Sequence, residues 1–378
     1  MTFTTRRTSL ITLAVAIVLW FMPNLRETLD YPVFFLLFGY GLFFWIAQAS
    51  SWNTFTGYSG YFSFGQGAFF GVGVYSVAVL AVKHQWPLLV TFVVGGLLAA
   101  VVGLIIGVVV FRLRELRGEI FALLTLAVAF VMASIARVSP AIDGGQGVPV
   151  NNVALPEFLG DFPTMIFRLG LIVATLAVIT AQVVQRSRVG WGLFAIRDDE
   201  DVAETLGVPT FRFKITALLL TSFLAGLSGA VHSLQIGYVT IEDVFSIRVP
   251  LFVILMSILG GTKHWMGPVV GAVVVVTLND RLNRAGFQEL SDFVTGGLLI
   301  LMIVAVKEGL YLRMRSRPAR TAVGFVIGLT VGFVLGALDE SLITLLAYGL
   351  AVAVAAVMLP LSWFSRRITQ PDDVLVSK

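Results

Sequence analysis

Residues 88–111 read LLVTFVVGGLLAAVVGLIIGVVVF, an unbroken run without a charged side chain. As a helix rising about 1.5 Å per residue it reaches about 36 Å, enough to cross a hydrocarbon core of about 30 Å. The apolar positions are continuous rather than alternating, which argues against a barrel strand. Similar runs recur on both sides, at about 9–22, 32–49, 60–82, 119–136, 166–185, 213–232, 248–262, 268–282, 292–310, 321–338 and 341–363. The expected fold class is therefore all-α: a polytopic membrane helix bundle of about 12 spans.

Composition agrees. Of 378 residues, 57% are hydrophobic and only 13% charged, and the mean hydropathy is +0.92; a soluble domain carries about a quarter charged residues. The chain has no cysteine, which removes disulfides, thiol catalysis and thiolate metal sites. His84, His232 and His264 lie far apart without ligand spacing, so no metal is expected. Arg6 and Arg7 precede the run from Ser9 to Met22, but Pro23-Asn24 follows rather than a small-x-small site, so this reads as an uncleaved first span.

The net charge of +4 records orientation rather than affinity for nucleic acid. A cytoplasmic N-terminus puts 19 of the 26 Lys and Arg residues inside, among them Arg112, Arg114, Arg117, Arg186, Arg188, Arg197, Arg212, Lys214 and the cluster Arg313, Arg315, Arg317 and Arg320. That is the positive-inside asymmetry, and it makes both termini cytoplasmic. The spans hold almost no acids or bases, unlike the intramembrane relays of proton-coupled carriers.

In this topology the longest inner loop carries Ala195-Ile196-Arg197-Asp198-Asp199-Glu200-Asp201-Val202-Ala203-Glu204-Thr205-Leu206-Gly207. Asp198 is expected to cap a short helix and Gly207 to end it. Val202, Ala203 and Leu206 should share one face, with Asp199 and Glu200 on the wet side. Such a helix suits a docking partner. The longest outer loop contains Asp143-Gly144-Gly145-Gln146-Gly147. No strand precedes it and no Lys-Ser/Thr pair follows, so it reads as a tight external turn rather than a nucleotide cradle.

Two segments are rich in glycine. The first runs from Gly57 to Gly73 and includes Gly60, Ser63, Gly65, Gly67 and Gly71; the second holds Gly260, Gly261, Gly267 and Gly271. In a membrane such runs permit either close helix packing or a break beside a transport route. Gly57-Tyr58…Phe62-Ser63 and Gly237-Tyr238…Phe245-Ser246 form a short match in oppositely directed spans, as an inverted repeat requires.

These segments resemble the LivM-type permeases of branched-chain amino acid ABC importers over residues of about 30–312. Gly57 to Tyr75 is similar to that family's S-x-G-x-A-x-F-x-G-x-G-x-Y segment. Leu116-Arg117-Gly118-Glu119-Ile120-Phe121-Ala122-Leu123-Leu124-Thr125-Leu126 is similar to its L-R-G-D-Y-F-A-I-x-T-L. Gly190 to Gly207 resembles the loop that meets the ATPase, and Ala225-Gly226-Leu227-Ser228-Gly229-Ala230 its A-G-L-A-G-A. Gly260-Gly261 with Gly267-Pro268-Val269-Val270-Gly271-Ala272 resembles its G-G…G-P-x-x-G-A. Departures are Gln66 in place of a common histidine, Asp143 of threonine, Trp191 of arginine and Ile241 of proline.

The resemblance implies a permease core over 1–312, about ten spans. Beyond it come a basic linker at 313–320, an extra hairpin at 321–363 and a cytoplasmic tail at 364–378. It implies a non-enzymatic permease without cofactor, in a bacterial or archaeal cytoplasmic membrane. Its partners would be a second permease (LivH-like, or another copy), two cytoplasmic ATPases and an extracytoplasmic binding protein. Arg197, Asp198, Glu200, Ala203, Glu204 and Gly207 would couple to the ATPase. Gly57, Gly60, Ser63, Gly65, Gly67, Thr125, Gly260 and Gly261 would line the route or allow close packing. Urea, short amides or other amino acids are alternative cargoes, and an ion-coupled carrier is the competing class.

Overall fold

The structure, a computed structural model, describes residues 3–26, 32–113, 118–142, 144–150, 153, 156–284, 296–297, 309–316 and 321. Contacts divide the chain into units at 1–307 and 308–378. In the second, a helix spans Leu310–Ser316, and Thr321 Oγ1 donates to the Met314 carbonyl at 3.1 Å. Asp143, most of the expected span at 292–310, and the hairpin and tail beyond residue 321 lie outside the described residues.

The first unit is helical. Its long elements are α1 (Phe3–Trp20), α2 (Phe34–Trp52), α3 (Gln66–Ser76), α4 (Leu88–Val110), α5 (Glu119–Val138) and α6 (Phe162–Gln185). Then come α7 (Arg188–Asp198), α8 (Glu200–Thr205), α9 (Thr210–Ile236), α10 (Ile241–Val244), α11 (Arg248–Gly260) and α12 (Met266–Arg284). Among the described residues eight helices are long and apolar enough to cross a membrane, and they coincide with the first eight expected spans. The ninth expected span forms α12, whose last turn carries Asp280, Arg281 and Arg284.

The opening stretch shows how the sequence selects its packing. On α4, Gly95, Gly96, Ala99, Gly103 and Gly107 are buried, while Leu89, Val93, Leu97, Val101, Leu104 and Ile105 are exposed. The exposed large side chains suit a lipid surface, where no hydrophobic gain follows from burying them, and the small ones let helix backbones approach. Cβ atoms at Gly96 and Gly103 would meet Phe223 and Ser222 of α9. The long helix α9 packs against α2, α3, α4 and α6, with α1 laid on α6 and α11–α12 on α2.

The third expected span begins later than the sequence indicates. Helix α2 runs into a π-helical turn, Asn53–Gly57, and stays helical to residue 59; a non-helical corner follows, and α3 starts only at Gln66, ending in a second π-helical turn, Val77–Lys83. Gly60, at φ +77°, sits in the corner, in the backbone region that glycine enters without a Cβ penalty.

The described loops gather at two ends. One end holds the 57–65 corner, α7–α8 and the 261–265 turn; Arg186 Nη1 reaches Thr8 Oγ1 there at 3.2 Å. At the other, Val148–Pro149 pairs antiparallel with Tyr238–Val239. Lys83 Nζ donates there to the carbonyls of Pro140, Ala141 and Ile142 at 2.8–3.2 Å, and Arg137 pairs with Glu242 at 3.0 Å. Gly144, Gly145 and Gly147 have positive φ, and Tyr238 Oη donates to the Gln146 carbonyl at 2.6 Å, so that loop is a tight turn. The two Gly-Tyr…Phe-Ser segments lie at opposite ends but differ locally. Gly57 closes a π-helical turn, whereas Gly237 caps α9 at φ +72°.

Candidate functional site: the α7–α8 plate and the corner beneath it

The charged loop forms two helices rather than one. Ser187 starts α7, its Oγ accepting from the Gly190 amide at 3.3 Å. Gly190 and Gly192 allow α7 to lie against the end of α6 and the Phe213 ring. Asp199, with extended backbone at φ −163°, breaks the helix and caps α8, its Oδ1 accepting from the Val202 amide at 3.0 Å. The cap is therefore Asp199, not Asp198, which ends α7. Gly207 terminates α8 at φ +84°, as expected.

The facing differs from the amphipathic reading. Ala203 is buried and Asp199 exposed, as expected, but Glu200 is buried, while Val202 is 52% and Leu206 78% exposed. Glu204 Oε1 accepts from Thr210 Oγ1 at 2.7 Å. Arg197 also turns inward. Its Nη1 donates to the Gly57 carbonyl and lies 3.4 Å from Thr262 Oγ1. Partial burial holds the Arg197 guanidinium below its usual range, an effect opposed by the neighbouring Asp198 charge. The exposed surface is formed by Trp191 (73%), Val202 and Leu206 with Asp199 and Asp201. Trp191, an indole where the resembling family commonly has arginine, enlarges the apolar part of that surface.

Beneath the plate, two residues unforeseen as site members meet Glu200. Lys214 Nζ lies 2.5 Å from Glu200 Oε1, with the two side chains 5% and 7% exposed. Tyr61 Oη donates to Glu200 Oε2. The ammonium also stands 4.8 Å and 4.9 Å from the ring centroids of Tyr61 and Phe111. A lysine set into the start of an apolar span was the available signal, because such a charge demands a partner.

The glycine-rich residues separate into roles. The Phe64 amide donates to Thr125 Oγ1 at 3.0 Å, and the Gly65 amide to Ser63 Oγ at 3.1 Å, so Ser63 and Thr125 satisfy backbone groups freed where the helix breaks. Gly60 lies under Arg197, whose Cγ would stand 3.0 Å from an added Cβ. Gly67 has room, its nearest neighbour being 3.5 Å from such a Cβ, whereas at Gly65 the Ser63 hydroxyl, at 3.3 Å, would have to give slightly. Gly260 and Gly261 belong to the contact between α11 and α12, where a Cβ at Gly260 would fall on the Gly267 carbonyl.

Above the corner lies a buried polar cluster. Gln66 Nε2 donates to Gln48 Oε1 at 2.6 Å and to Ser51 Oγ at 2.9 Å. Ser50 Oγ, both amide atoms of Asn53, Thr56 Oγ1 and Gln66 Oε1 are buried without a hydrogen-bond partner.

The model for the permease component of branched-chain amino acid transport systems matches residues 35–303. The chain belongs to that family. This permease is 24% identical over 330 residues to the high-affinity branched-chain amino acid transport permease LivM of Escherichia coli K12, covering 80% of this chain and 74% of that one. The Salmonella typhimurium LivM matches to the same extent. The autoinducer 2 import permease LsrC of Klebsiella pneumoniae is 28% identical over 182 residues, 46% of this chain and half of that one. No solved structure matches. The permease is thus an all-α, multi-pass membrane protein whose relatives are transport permease subunits.

Proposed function

We propose that this permease is the membrane subunit of an ABC importer for branched-chain amino acids, driven by two separate ATPases that dock on the α7–α8 plate. The observation that carries the reading is the family match, joined to a plate whose outer face is apolar and acidic while Arg197 and Glu200 are turned into the bundle. A second permease, LivH-like or a further copy, completes the membrane part. An extracytoplasmic binding protein meets the opposite end, near the 148–149 ribbon. The plate is then cytoplasmic, as are both termini, in accord with the basic residues concentrated on that side. The basic linker at 313–320 and the hairpin at 321–363 are an addition to a core ending near residue 312.

Gly57, Gly60, Ser63, Gly65 and Gly67, with the Asn53 amide and the unpartnered Oε1 of Gln66, mark the region that rearranges during transport. Buried polar groups without partners are costly, and a cluster of them beside a broken helix fits a segment that opens to water or cargo. Thr125 steadies the corner by accepting from the Phe64 amide, and Gly260 and Gly261 serve packing. The LsrC likeness favours one second reading, a different small polar cargo on the same machinery.

The test is leucine uptake into proteoliposomes holding the assembly purified through this chain. Uptake that requires ATP and the binding protein supports the proposal. Uptake driven by a proton or sodium gradient without ATP would sink it in favour of a carrier.

A further inference from the structure

Among the polar contacts between the plate and the bundle, Arg197 and Glu200 each reach the same short stretch, 57–61, while Glu204 holds Thr210 at the start of α9. Arg197 of α7 grips the carbonyl of Gly57, the last residue of the π-helical turn that follows α2. Glu200 of α8 grips Tyr61, in the lead-in to α3, and Lys214, one turn into α9. Between the two anchor points lies Gly60, whose positive φ bends the corner and whose missing side chain leaves room for Arg197.

Burying an ion pair is a poor way to gain stability. Desolvation cancels much of the attraction, and apolar residues of similar volume often serve as well or better. Apolar contacts resist compression but slide under shear or tension, because they are non-directional. A carboxylate holding an ammonium and a phenol hydroxyl on separate oxygens resists both, since charge-assisted hydrogen bonds are short and directional. The geometry is that of a pulling joint.

We propose that Tyr61, Glu200 and Lys214 form a buried joint through which movement of the plate turns the 57–61 corner and, with it, α2, α3 and α9. Glu200 is then a positioning residue for transport rather than an ATPase contact. The inference rests on the ABC reading and adds the receiving element within the bundle.

The experiment uses the assembled importer purified through a tag on this chain and reconstituted with its binding protein. ATP hydrolysis and [14C]leucine uptake are measured on the same vesicles. The double variant Glu200→Leu/Lys214→Leu removes both charges together and strands neither. It leaves only the Tyr61 hydroxyl without its acceptor, so it should keep its ATPases, stay folded with a modestly lower melting midpoint and hydrolyse ATP at a similar rate. Leucine moved per ATP should fall by about tenfold or more, the effect of losing one charge-assisted hydrogen bond from the step that moves the spans. Tyr61→Phe removes only a hydroxyl and should lower the same ratio by about threefold. If both variants move leucine per ATP as the parent does, the cluster only fills space and the joint is refuted. Failure of the double variant to assemble leaves Tyr61→Phe to decide by the same ratio. A parent assembly without ATP-driven uptake defeats the ABC reading itself, and the joint with it.

Discussion

The two glycine-rich segments look alike in sequence and differ in what their missing side chains face. At Gly260, Gly267 and Gly271, an added Cβ would fall on backbone carbonyls of Gly267, Gly261 and Met256, so α11 and α12 press main chain on main chain. At Gly67 the nearest neighbours leave ordinary contact space, at Gly65 only the Ser63 hydroxyl is tight, and unpartnered amide and hydroxyl groups lie close in sequence at the end of α2. The first segment changes character along its length. Gly57 would meet the Asn53 side chain and the Thr262 carbonyl, and Gly71 and Gly73 a Phe245 ring and the Gly226 carbonyl. Glycine content therefore does not distinguish a hinge from a weld. A weld is marked by backbone opposite the absent Cβ, a hinge by free space and unsatisfied polar atoms.

The largest effect should come from breaking a weld. Gly271→Leu drives a side chain into the Met256 carbonyl, which cannot move aside without separating two helices. Overpacking of this kind costs about 3 kcal/mol or more, a large share of typical stability. The expected outcome is little or no folded protein in membranes, judged by monodispersity after extraction. A well-folded Gly271→Leu protein would show that α11 and α12 slide apart freely, and the contrast between the segments would collapse.

How much of this the sequence discloses depends on the range of the interaction that decides it. Long apolar runs, the Gly207 stop and the burial of Ala203 are local properties, readable from spacing and backbone preference. The inward turn of Glu200 is not. Its partners are Tyr61, 139 positions earlier, and Lys214, 14 positions later. In a six-residue helix, two such contacts outweigh any amphipathic stripe, and Val202 and Leu206 are left outside. The cap moved from Asp198 to Asp199 for a similar reason, since Arg197 and Ile196 anchor α7 through its last turn. The late start of α3 was foreshadowed by the glycines at 57, 60 and 65. Which of them was opposed by backbone required the fold.

A smaller effect should follow from Gln66→Leu. The substitution removes the donor to Gln48 Oε1 and to Ser51 Oγ in a buried site. Stranding such acceptors costs about 1–3 kcal/mol, to be read as a lower thermal midpoint in detergent with the protein still folded. No change in midpoint would mean that water already serves these groups, and the cluster would be wetter than its burial indicates.

Asn53→Leu should behave in the opposite way. Asn53 makes no hydrogen bond of good geometry and has only the Tyr58 hydroxyl beside it, so replacing its amide by an apolar group of similar volume relieves more cost than it creates. Stability should hold within about 1 kcal/mol or rise. Leucine uptake should fall, because a polar surface needed when the segment opens has been lost. Unchanged uptake would assign the cluster to folding alone.

The smallest effect belongs to Gly67→Ala, and it is the most discriminating. Gly67 lies in the first turn of α3, and its added Cβ would stand 3.5 Å from Pro250 Cδ and 3.6 Å from the Ser246 carbonyl, ordinary van der Waals separations. Alanine restricts the unfolded chain and favours the helix, so stability should rise by about 0.5–1 kcal/mol. Transport should stay within about twofold if that space is merely vacant, a change under about 0.5 kcal/mol in barrier. Gly67→Leu should block transport in a folded protein, since the longer side chain must displace Pro250 or the Ser246 turn before α11. Should Gly67→Ala already abolish uptake while its melting midpoint rises, the space beside α3 is used during the cycle by moving backbone. The difference between the segments would then be functional as well as structural, with the stretch around Gly67 as the part that moves and 260–271 as the frame it moves against.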